Sequence, residues 1–199
     1  RPLRDLRISI TDRCNFRCPY CMPREVFGED YPYLAREEIL SFEEIDHLVA
    51  SLIPLGIEKV RLTGGEPLLR RDFVKLVEKI SAHDVEVAVT TNGVLLENQA
   101  EALADAGLDR VTVSLDALDN ETFQKMTDSD VDVSVVLAGI DAAIAAGLTP
   151  VKVNTVVRRG VNEHAIQDLV GYFRGTGVII RFIEFMDVGS SNSWRIEKK

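Results

Sequence analysis

All three cysteines of the chain fall in the stretch Thr11-Asp12-Arg13-Cys14-Asn15-Phe16-Arg17-Cys18-Pro19-Tyr20-Cys21-Met22-Pro23. Their spacing is C-x3-C-x2-C, and the apolar residues just before them predict a short strand over residues 6–10. A [4Fe-4S] cube is normally held by four thiolates, so three thiolates on one loop leave one iron without a protein ligand. The stretch therefore indicates a loop that directly follows a strand, binds an iron-sulfur cluster and leaves one iron of the cluster without a protein ligand.

Zinc and a disulfide are the alternatives for these cysteines. Structural zinc takes four ligands, whereas the histidines of this chain, His47, His83 and His164, lie far away on predicted helices. A disulfide would leave one thiol unpaired, and a chain of this size has enough core to fold without one. Both fit the ligand count less well than a cluster does.

The composition is that of an ordinary globular protein: 199 residues, of which 46% are hydrophobic and 28% charged. We expect one domain over residues 1–199. The net charge of -9 disfavours nucleic acid and anionic membranes as partners, because both require a basic surface. The sequence has neither a bilayer-length apolar run nor a signal-peptide core at its start, which predicts a cytoplasmic protein whose thiols stay reduced.

Helices and strands alternate along the chain. Gly56, Gly107, Gly147 and Gly177 each follow a helical pattern and precede a β-rich segment, at residues 59–62, 110–114, 151–154 and 178–180. With residues 6–10 and 85–90 this predicts six strands. Helices are predicted after a capping box at Ser41 and over residues 72–82, 96–106, 134–146 and 162–174. Such alternation indicates a parallel sheet, either doubly wound or a barrel.

The side-chain pattern within the strands favours the barrel. One parity is apolar, as in Val60 and Leu62, whereas the other is polar, as in Lys59 and Arg61. A doubly wound sheet is covered on both faces and has strands that are apolar on both. The predicted fold class is therefore α/β, a partial (βα)6 TIM-like barrel of parallel strands with a polar lumen.

The motif Thr63-Gly64-Gly65-Glu66-Pro67 follows the second strand and, by itself, predicts a tight turn. Together with the cysteine spacing and the aromatic Tyr20, it resembles the radical S-adenosylmethionine (SAM) superfamily. The resemblance implies a radical SAM core in which Cys14, Cys18 and Cys21 hold a [4Fe-4S] cluster and SAM chelates the open iron. It also implies SAM contacts from four residues: Tyr20, Gly65, Ser114 and Met186. For Met186, a core methionine is the competing interpretation.

Inward cations predict the substrate class. Burying several like charges in a lumen is unfavourable unless an anion compensates, so cations on three strands indicate a polyanion such as a nucleoside triphosphate. These cations are Arg7, Lys59, Arg61 and Lys152. Pairing with Asp116 or Glu184, which would make some of them structural, is the alternative.

Longer matches extend the resemblance to the GTP 3′,8-cyclase family of molybdenum cofactor biosynthesis. They include the residues before Cys14, Arg61-Leu62-Thr63, Val113-Ser114-Leu115-Asp116 and Arg181-Phe182-Ile183-Glu184. The resemblance implies a lyase that converts GTP to (8S)-3′,8-cyclo-7,8-dihydroguanosine 5′-triphosphate through a 5′-deoxyadenosyl radical. It implies GTP contacts from Arg7, Lys59, Arg61, Thr90 and Lys152. The position of Arg181 relative to the lumen is ambiguous from the sequence. No general acid or base is expected.

That family continues well beyond the sixth strand and carries a second cysteine triad. The sequence therefore leads us to expect a fragment without the C-terminal second-cluster domain, inactive in cyclisation by itself. A reductant protein and a homodimer are the expected partners besides GTP. Two other classes remain open: a radical SAM enzyme with a different substrate, and a non-catalytic iron-sulfur or SAM-binding module.

Overall fold

The computed structural model describes residues 3–186. Its single sheet contains six strands: β1 Asp5–Ser9, β2 Lys59–Thr63, β3 Glu86–Thr91, β4 Arg110–Ser114, β5 Lys152–Val157 and β6 Ile179–Glu184. Every strand pairs in parallel with the next one in sequence. A doubly wound sheet would instead reverse its strand order at a switch point. The sequential order is that of a partial (βα)6 barrel, as predicted.

Six helices connect these strands: α1 Phe42–Leu52, α2 Phe73–Ser81, α3 Ala100–Asp105, α4 Asn120–Thr127, α5 Val133–Ala145 and α6 Ala165–Phe173. The predicted capping box is present at α1, where the Ser41 hydroxyl accepts from the Glu44 N–H and the Glu44 carboxylate accepts from the Ser41 N–H. The four predicted glycine caps have φ between +81° and +98°.

Two helix predictions need correction. α3 begins at Ala100 rather than near residue 96, because residues 94–99 form turns. α4 was not predicted, although its N-terminal signal is present in the sequence: the Asp119 side chain accepts a hydrogen bond of 2.8 Å from the Thr122 N–H. The helix is short and contains few apolar residues, so its apolar periodicity is weak.

The core lies between the sheet and the helices. The apolar parity of the strands is almost fully buried there, as in Val60, Leu62, Val111 and Val153, each with 0% exposure. Helix residues such as Leu76 complete this layer. The helices thus cover the apolar face of the sheet, and the polar face is left to form the lumen.

Three short 3-10 segments complete the described secondary structure: Arg36–Glu38, Ile53–Leu55 and Pro67–Leu69. None of the helices in the described part of the chain has the length and apolar character needed to cross a membrane.

Candidate functional site

The strand register stacks polar side chains in layers on the lumen face, from the amino to the carboxyl ends of the strands. The first layer holds Asp5, Lys59 and Glu86, and the second holds Arg7, Arg61, Ala88 and Arg110. The third holds Ser9, Thr63, Thr90, Thr112 and Lys152, and the fourth Ser114, Asn154 and Arg181. The register therefore brings the expected substrate residues onto one face and adds Arg181 to them.

Lys152 lies at the centre of a group of cations. The pKa of its ammonium is lowered, first by burial and then by the positive charges of Lys59, Arg181, Arg110 and Arg61. Four cations close enough to depress one lysine make this a basic chamber within a protein of net charge -9. An anion entering the chamber would relieve that repulsion.

One carboxylate, Glu86, partly offsets this charge. It forms ion pairs with Lys59 and with Arg110, whose Nε lies 2.8 Å from Glu86 Oε1. The sequence suggested Asp116 or Glu184 as structural partners of the lumen cations; Glu86, which pairs with Lys59 and Arg110, was not among the suggested partners. Arg110 was missed, although it shares the polar parity of Thr112 and Ser114.

Two lumen atoms have no partner among the described residues. They are Asn154 Oδ1 and Arg181 Nε, both buried. The two residues are register partners on β5 and β6. Buried polar atoms are normally hydrogen-bonded, so an unpaired acceptor and donor side by side on the lumen face favour a ligand there.

The cysteine loop is ordered by Arg17, a residue that no sequence motif identified. Its Nη1 donates to the Cys14 carbonyl at 2.6 Å, and its Nε donates to the Phe27 carbonyl at 2.8 Å. Phe16 anchors the loop in the core, 3% exposed and edge-on to Phe123 with ring centroids 5.9 Å apart. An arginine with several backbone acceptors thus shapes a loop that has no regular secondary structure.

The diglycine motif packs directly against this loop. The Gly65 N–H donates to the Thr11 carbonyl at 2.7 Å, and the Glu66 N–H donates to the Arg13 carbonyl at 2.8 Å. A Cβ on Gly64 would lie 2.4 Å from the Thr11 oxygen, and a Cβ on Gly65 would lie 2.2 Å from the Arg13 oxygen. Close backbone approach is therefore the reason for Gly65, whereas Gly64 is required both by this approach and by its φ of +150°.

Glu66 ties the same motif to β3. Its buried carboxylate accepts from the Leu68 N–H at 2.9 Å, the Thr91 hydroxyl at 2.7 Å and the Asn92 N–H at 2.6 Å. Burial raises the pKa of this carboxyl, and the three hydrogen bonds oppose that rise. Asn92 in turn donates to Asn15 Oδ1 at 2.7 Å, so β2, β3 and the cysteine loop form one hydrogen-bonded unit.

Tyr20 points to the end of β4. Its hydroxyl donates to Asp116 Oδ2 at 2.7 Å, while Asp116 Oδ1 accepts from the Val156 N–H at 2.8 Å. Asp116 is 2% exposed, and burial raises its carboxyl pKa from 3.8 to about 6. Ser114 lies two residues before Asp116, in register with Asn154. Two of the expected SAM contacts, Tyr20 and Ser114, are thus brought to the carboxyl ends of the strands.

The remaining expected residues are placed less centrally. Met186 follows β6 and is 51% exposed, so it is not a core methionine. Arg7 is exposed and lines a cavity of 260 Å³ with Asp5, Leu6 and Arg61.

The histidines are solvated in part only. His47 is exposed on α1. His83 follows α2 rather than lying on a helix, and its Nε2 is 2.7 Å from Asp46 Oδ1. His164, the residue before α6, has its Nε2 3.2 Å from the Thr122 hydroxyl. None of them belongs to the lumen layers defined above.

The three thiols fit a cluster better than a single ion. Burial raises the pKa of each thiol, most strongly at Cys18, where the nearby Asp116 and the other two cysteines raise it further. The three sulfurs therefore lie near one another. Within residues 3–186, however, no group of His, Cys, Asp or Glu converges on a position for one metal ion. A cube binds each thiolate through a different iron, which suits sulfurs that are close without sharing one centre.

A model of the radical SAM superfamily matches residues 8–173. The chain belongs to the radical SAM superfamily. This family uses a [4Fe-4S] cluster and SAM. In the radical SAM chain described here, the cysteine loop provides three thiols for such a cluster, and the diglycine motif packs directly against that loop.

Curated relatives that match the chain carry the name GTP 3′,8-cyclase, among them proteins from Acidothermus cellulolyticus and Staphylococcus epidermidis. The protein from Acidothermus cellulolyticus is 56% identical over 98% of this radical SAM chain and 54% of its own length. The protein from Staphylococcus epidermidis is 48% identical over 100% of this chain and 58% of its own length. The chain thus spans a little more than half the length of the curated relatives it matches.

Solved structures confirm the fold. Streptococcus suis SuiB, in a crystal structure bound to S-adenosylmethionine, superposes with a TM-score of 0.81 at 17% identity, over 100% of this chain and 44% of SuiB. The methylornithine synthase PylB superposes with a TM-score of 0.74 at 17% identity, over 100% of this chain and 58% of PylB. At such identities the similarity supports the radical SAM barrel and nothing finer.

Proposed function

We propose that this chain is the radical SAM core of a GTP 3′,8-cyclase, a lyase of molybdenum cofactor biosynthesis. The observation that carries the proposal is the group of cations around Lys152 in the lumen, below the cysteine loop. A triphosphate is the ligand class that such a group suits. The two relatives named GTP 3′,8-cyclase support GTP as the nucleotide.

In this proposal the cluster and the SAM contacts lie at the carboxyl ends of the strands. Cys14, Cys18 and Cys21 hold the cluster. Tyr20, Gly65, Ser114 and Met186 hold SAM. When bound, the cluster and SAM supply an electron and a carbon radical that can remove hydrogen from the ribose of GTP.

The chain's own residues position the nucleotide. Arg7, Lys59, Arg61 and Lys152 meet the phosphates, and Thr90 donates a hydroxyl from the same layer as Lys152. Arg181 and Asn154 offer the unpaired donor and acceptor described above. Hydrogen abstraction requires reacting atoms held at about 3 to 3.5 Å, and the phosphate contacts fix one end of the nucleotide for that step.

The domain organisation, cellular location and partners are part of the same proposal. We propose one radical SAM core domain over residues 1–199, located in the cytoplasm, where thiols stay reduced. We further propose a reductant protein as electron donor and a homodimer as the assembly.

The proposal is tested by binding and turnover after anaerobic cluster reconstitution. Arg61→Ala and Lys152→Ala should each weaken GTP binding roughly tenfold or more, since each removes a charge-assisted phosphate contact. SAM binding should be unchanged. Arg71→Ala and Lys125→Ala are matched controls, because both side chains are exposed outside the lumen. Reduction with dithionite in the presence of SAM and GTP should yield 5′-deoxyadenosine with little 3′,8-cyclised nucleotide, as the sequence leads us to expect for this chain by itself.

The other two classes give different results. A radical SAM enzyme with another substrate would cleave SAM, yet the lumen variants would bind GTP as the parent does. A non-catalytic module would bind the cluster and SAM without forming 5′-deoxyadenosine. Either result would contradict the proposal that this chain is the core of a GTP 3′,8-cyclase.

A further inference from the structure

Arg110 occupies a place in the lumen that no sequence motif identified. It is the first residue of β4 and lies in register with Ala88 on β3, which in turn lies in register with Arg61 on β2. Two arginines therefore flank an alanine in one layer. Arg61, in the same layer, lines the 260 Å³ cavity described above.

The guanidinium of Arg110 is held in place from one side. Its Nε lies 2.8 Å from Glu86 Oε1, and Glu86 also pairs with Lys59. This contact is made through Nε, and the Arg110 side chain is 37% exposed. A guanidinium that is fixed through Nε still presents the fork that binds phosphate oxygens in pairs.

The depth of Arg110 in the barrel matches the end of a phosphate chain. Ser114, a proposed SAM contact, lies four residues further along the same strand, which corresponds to about 13 Å at 3.3 Å per residue. A nucleotide whose ribose lies beside SAM directs its phosphates toward the amino ends of the strands. The outermost phosphate then reaches the layer of Arg61 and Arg110, while the inner ones stay near Lys152.

The net charge of the lumen side chains also matches the charge of a triphosphate. Within the four layers of the described strands there are six cations, namely Arg7, Lys59, Arg61, Arg110, Lys152 and Arg181, against two carboxylates, Asp5 and Glu86. A triphosphate carries about four negative charges, nearly two of them on its terminal phosphate. With Arg110 included, the net charge of these side chains is therefore about equal and opposite to that of a triphosphate.

We propose that Arg110, oriented by Glu86, binds the terminal phosphate of the nucleotide and so determines the preference for a triphosphate over a diphosphate. This inference rests on the proposed function and adds a specificity residue to it. Glu86 is a positioning residue in this arrangement, because it acts through Arg110 and Lys59 rather than on the nucleotide.

The test compares GTP with GDP. Both are titrated at low ionic strength into the chain after cluster reconstitution, with SAM present, for the parent, Arg110→Gln and Arg110→Lys. Arg110→Gln should lower the affinity for GTP about tenfold and leave that for GDP unchanged, since only GTP reaches the second layer. Arg110→Lys should lose part of the preference, because an ammonium keeps the positive charge but lacks the planar fork that binds two phosphate oxygens.

Arg4→Gln is the matched control. Arg4 lies at the same end of the barrel, and its Nε is 3.5 Å from Glu58 Oε1, outside the lumen layers. It should alter neither affinity. An unchanged ratio of GTP to GDP affinity in both Arg110 variants, with the parent preferring GTP, would overturn the role of Arg110 alone. A parent that binds GTP and GDP equally would also overturn it, whereas a parent that binds neither would overturn the proposed function itself.

Discussion

The hydroxyl of Tyr20 donates a 2.7 Å hydrogen bond to Asp116 Oδ2 and thereby joins the cysteine loop to the end of β4. The two residues are 96 positions apart in the sequence. Tyr20 lies between the second and third cysteines, so this contact orients a loop that has little regular structure of its own. The carboxylate is buried, which makes the bond sensitive to the loss of either partner.

Tyr20→Phe should destabilise the apo protein by about 1 to 3 kcal/mol, since it leaves a buried carboxylate oxygen without its donor. Urea unfolding followed by circular dichroism measures the change. Tyr172→Phe is the matched control, because Tyr172 is 50% exposed and the loss of its hydroxyl should have no measurable effect. Equal stability of the two variants would contradict the anchoring role of Tyr20.

Replacement of Cys14, Cys18 or Cys21 by alanine should abolish a stable [4Fe-4S] signal while the barrel stays folded. Three protein ligands are already one short of the number that the cluster normally takes. Iron and sulfide analysis after anaerobic reconstitution measures the loss, and far-ultraviolet circular dichroism reports the fold. Met22→Ala, in the same loop, should retain the cluster. Full iron and sulfide in a single cysteine variant would show that this cysteine is not a ligand.

Gly65→Ala should displace the cysteine loop and lower cluster content, because its Cβ would lie 2.2 Å from the carbonyl oxygen of Arg13. A contact with backbone cannot be relieved by a side-chain rotation, so the loop itself must move. Gly171→Ala is the control, since no atom lies within 4 Å of its added Cβ and alanine favours the helix by roughly 0.5 to 1 kcal/mol. Reconstituted iron per chain should fall only in the first variant; parallel behaviour of both would refute the close-approach argument.

The strands could be predicted because two signals in the sequence agree. Apolar and polar side chains alternate within each strand, and a glycine ends the helix that precedes most of the strands. Lys59 and Arg61 were placed on the lumen face by parity alone, and the register confirms this. Arg110 was not predicted, although it has the same parity and, like Lys59 and Lys152, is the first residue of its strand.

Contacts between distant elements could not be derived from the sequence. The pairing of Lys59 with Glu86 depends on which residues of β2 and β3 are in register. The close approach of Gly65 to Arg13 depends on how β1 and β2 end side by side. Local patterns contain neither relationship. Turn conformation accounts for the positive φ of Gly64, but it does not account for the close backbone approach at Gly65.

Asp116→Asn should change how the stability of the apo protein depends on pH. Burial raises the carboxyl pKa of Asp116 from 3.8 in the unfolded chain to about 6 in the folded one, so folding favours the protonated form. The stabilisation from this proton is complete below about pH 3.8 and is lost as the pH rises through about 6. Over that range the free energy of unfolding of the parent should fall by on the order of 3 kcal/mol relative to that of Asp116→Asn, whose amide cannot ionise but can still donate to the Tyr20 oxygen.

The measurement is the free energy of unfolding in urea at several pH values between 4 and 7 for both proteins. Asp105→Asn is the control, because Asp105 is an exposed residue of α3. A constant difference between parent and Asp116→Asn across this range would show that Asp116 is already ionised at pH 4, and that its hydrogen bonds from Tyr20 and Val156 outweigh its burial.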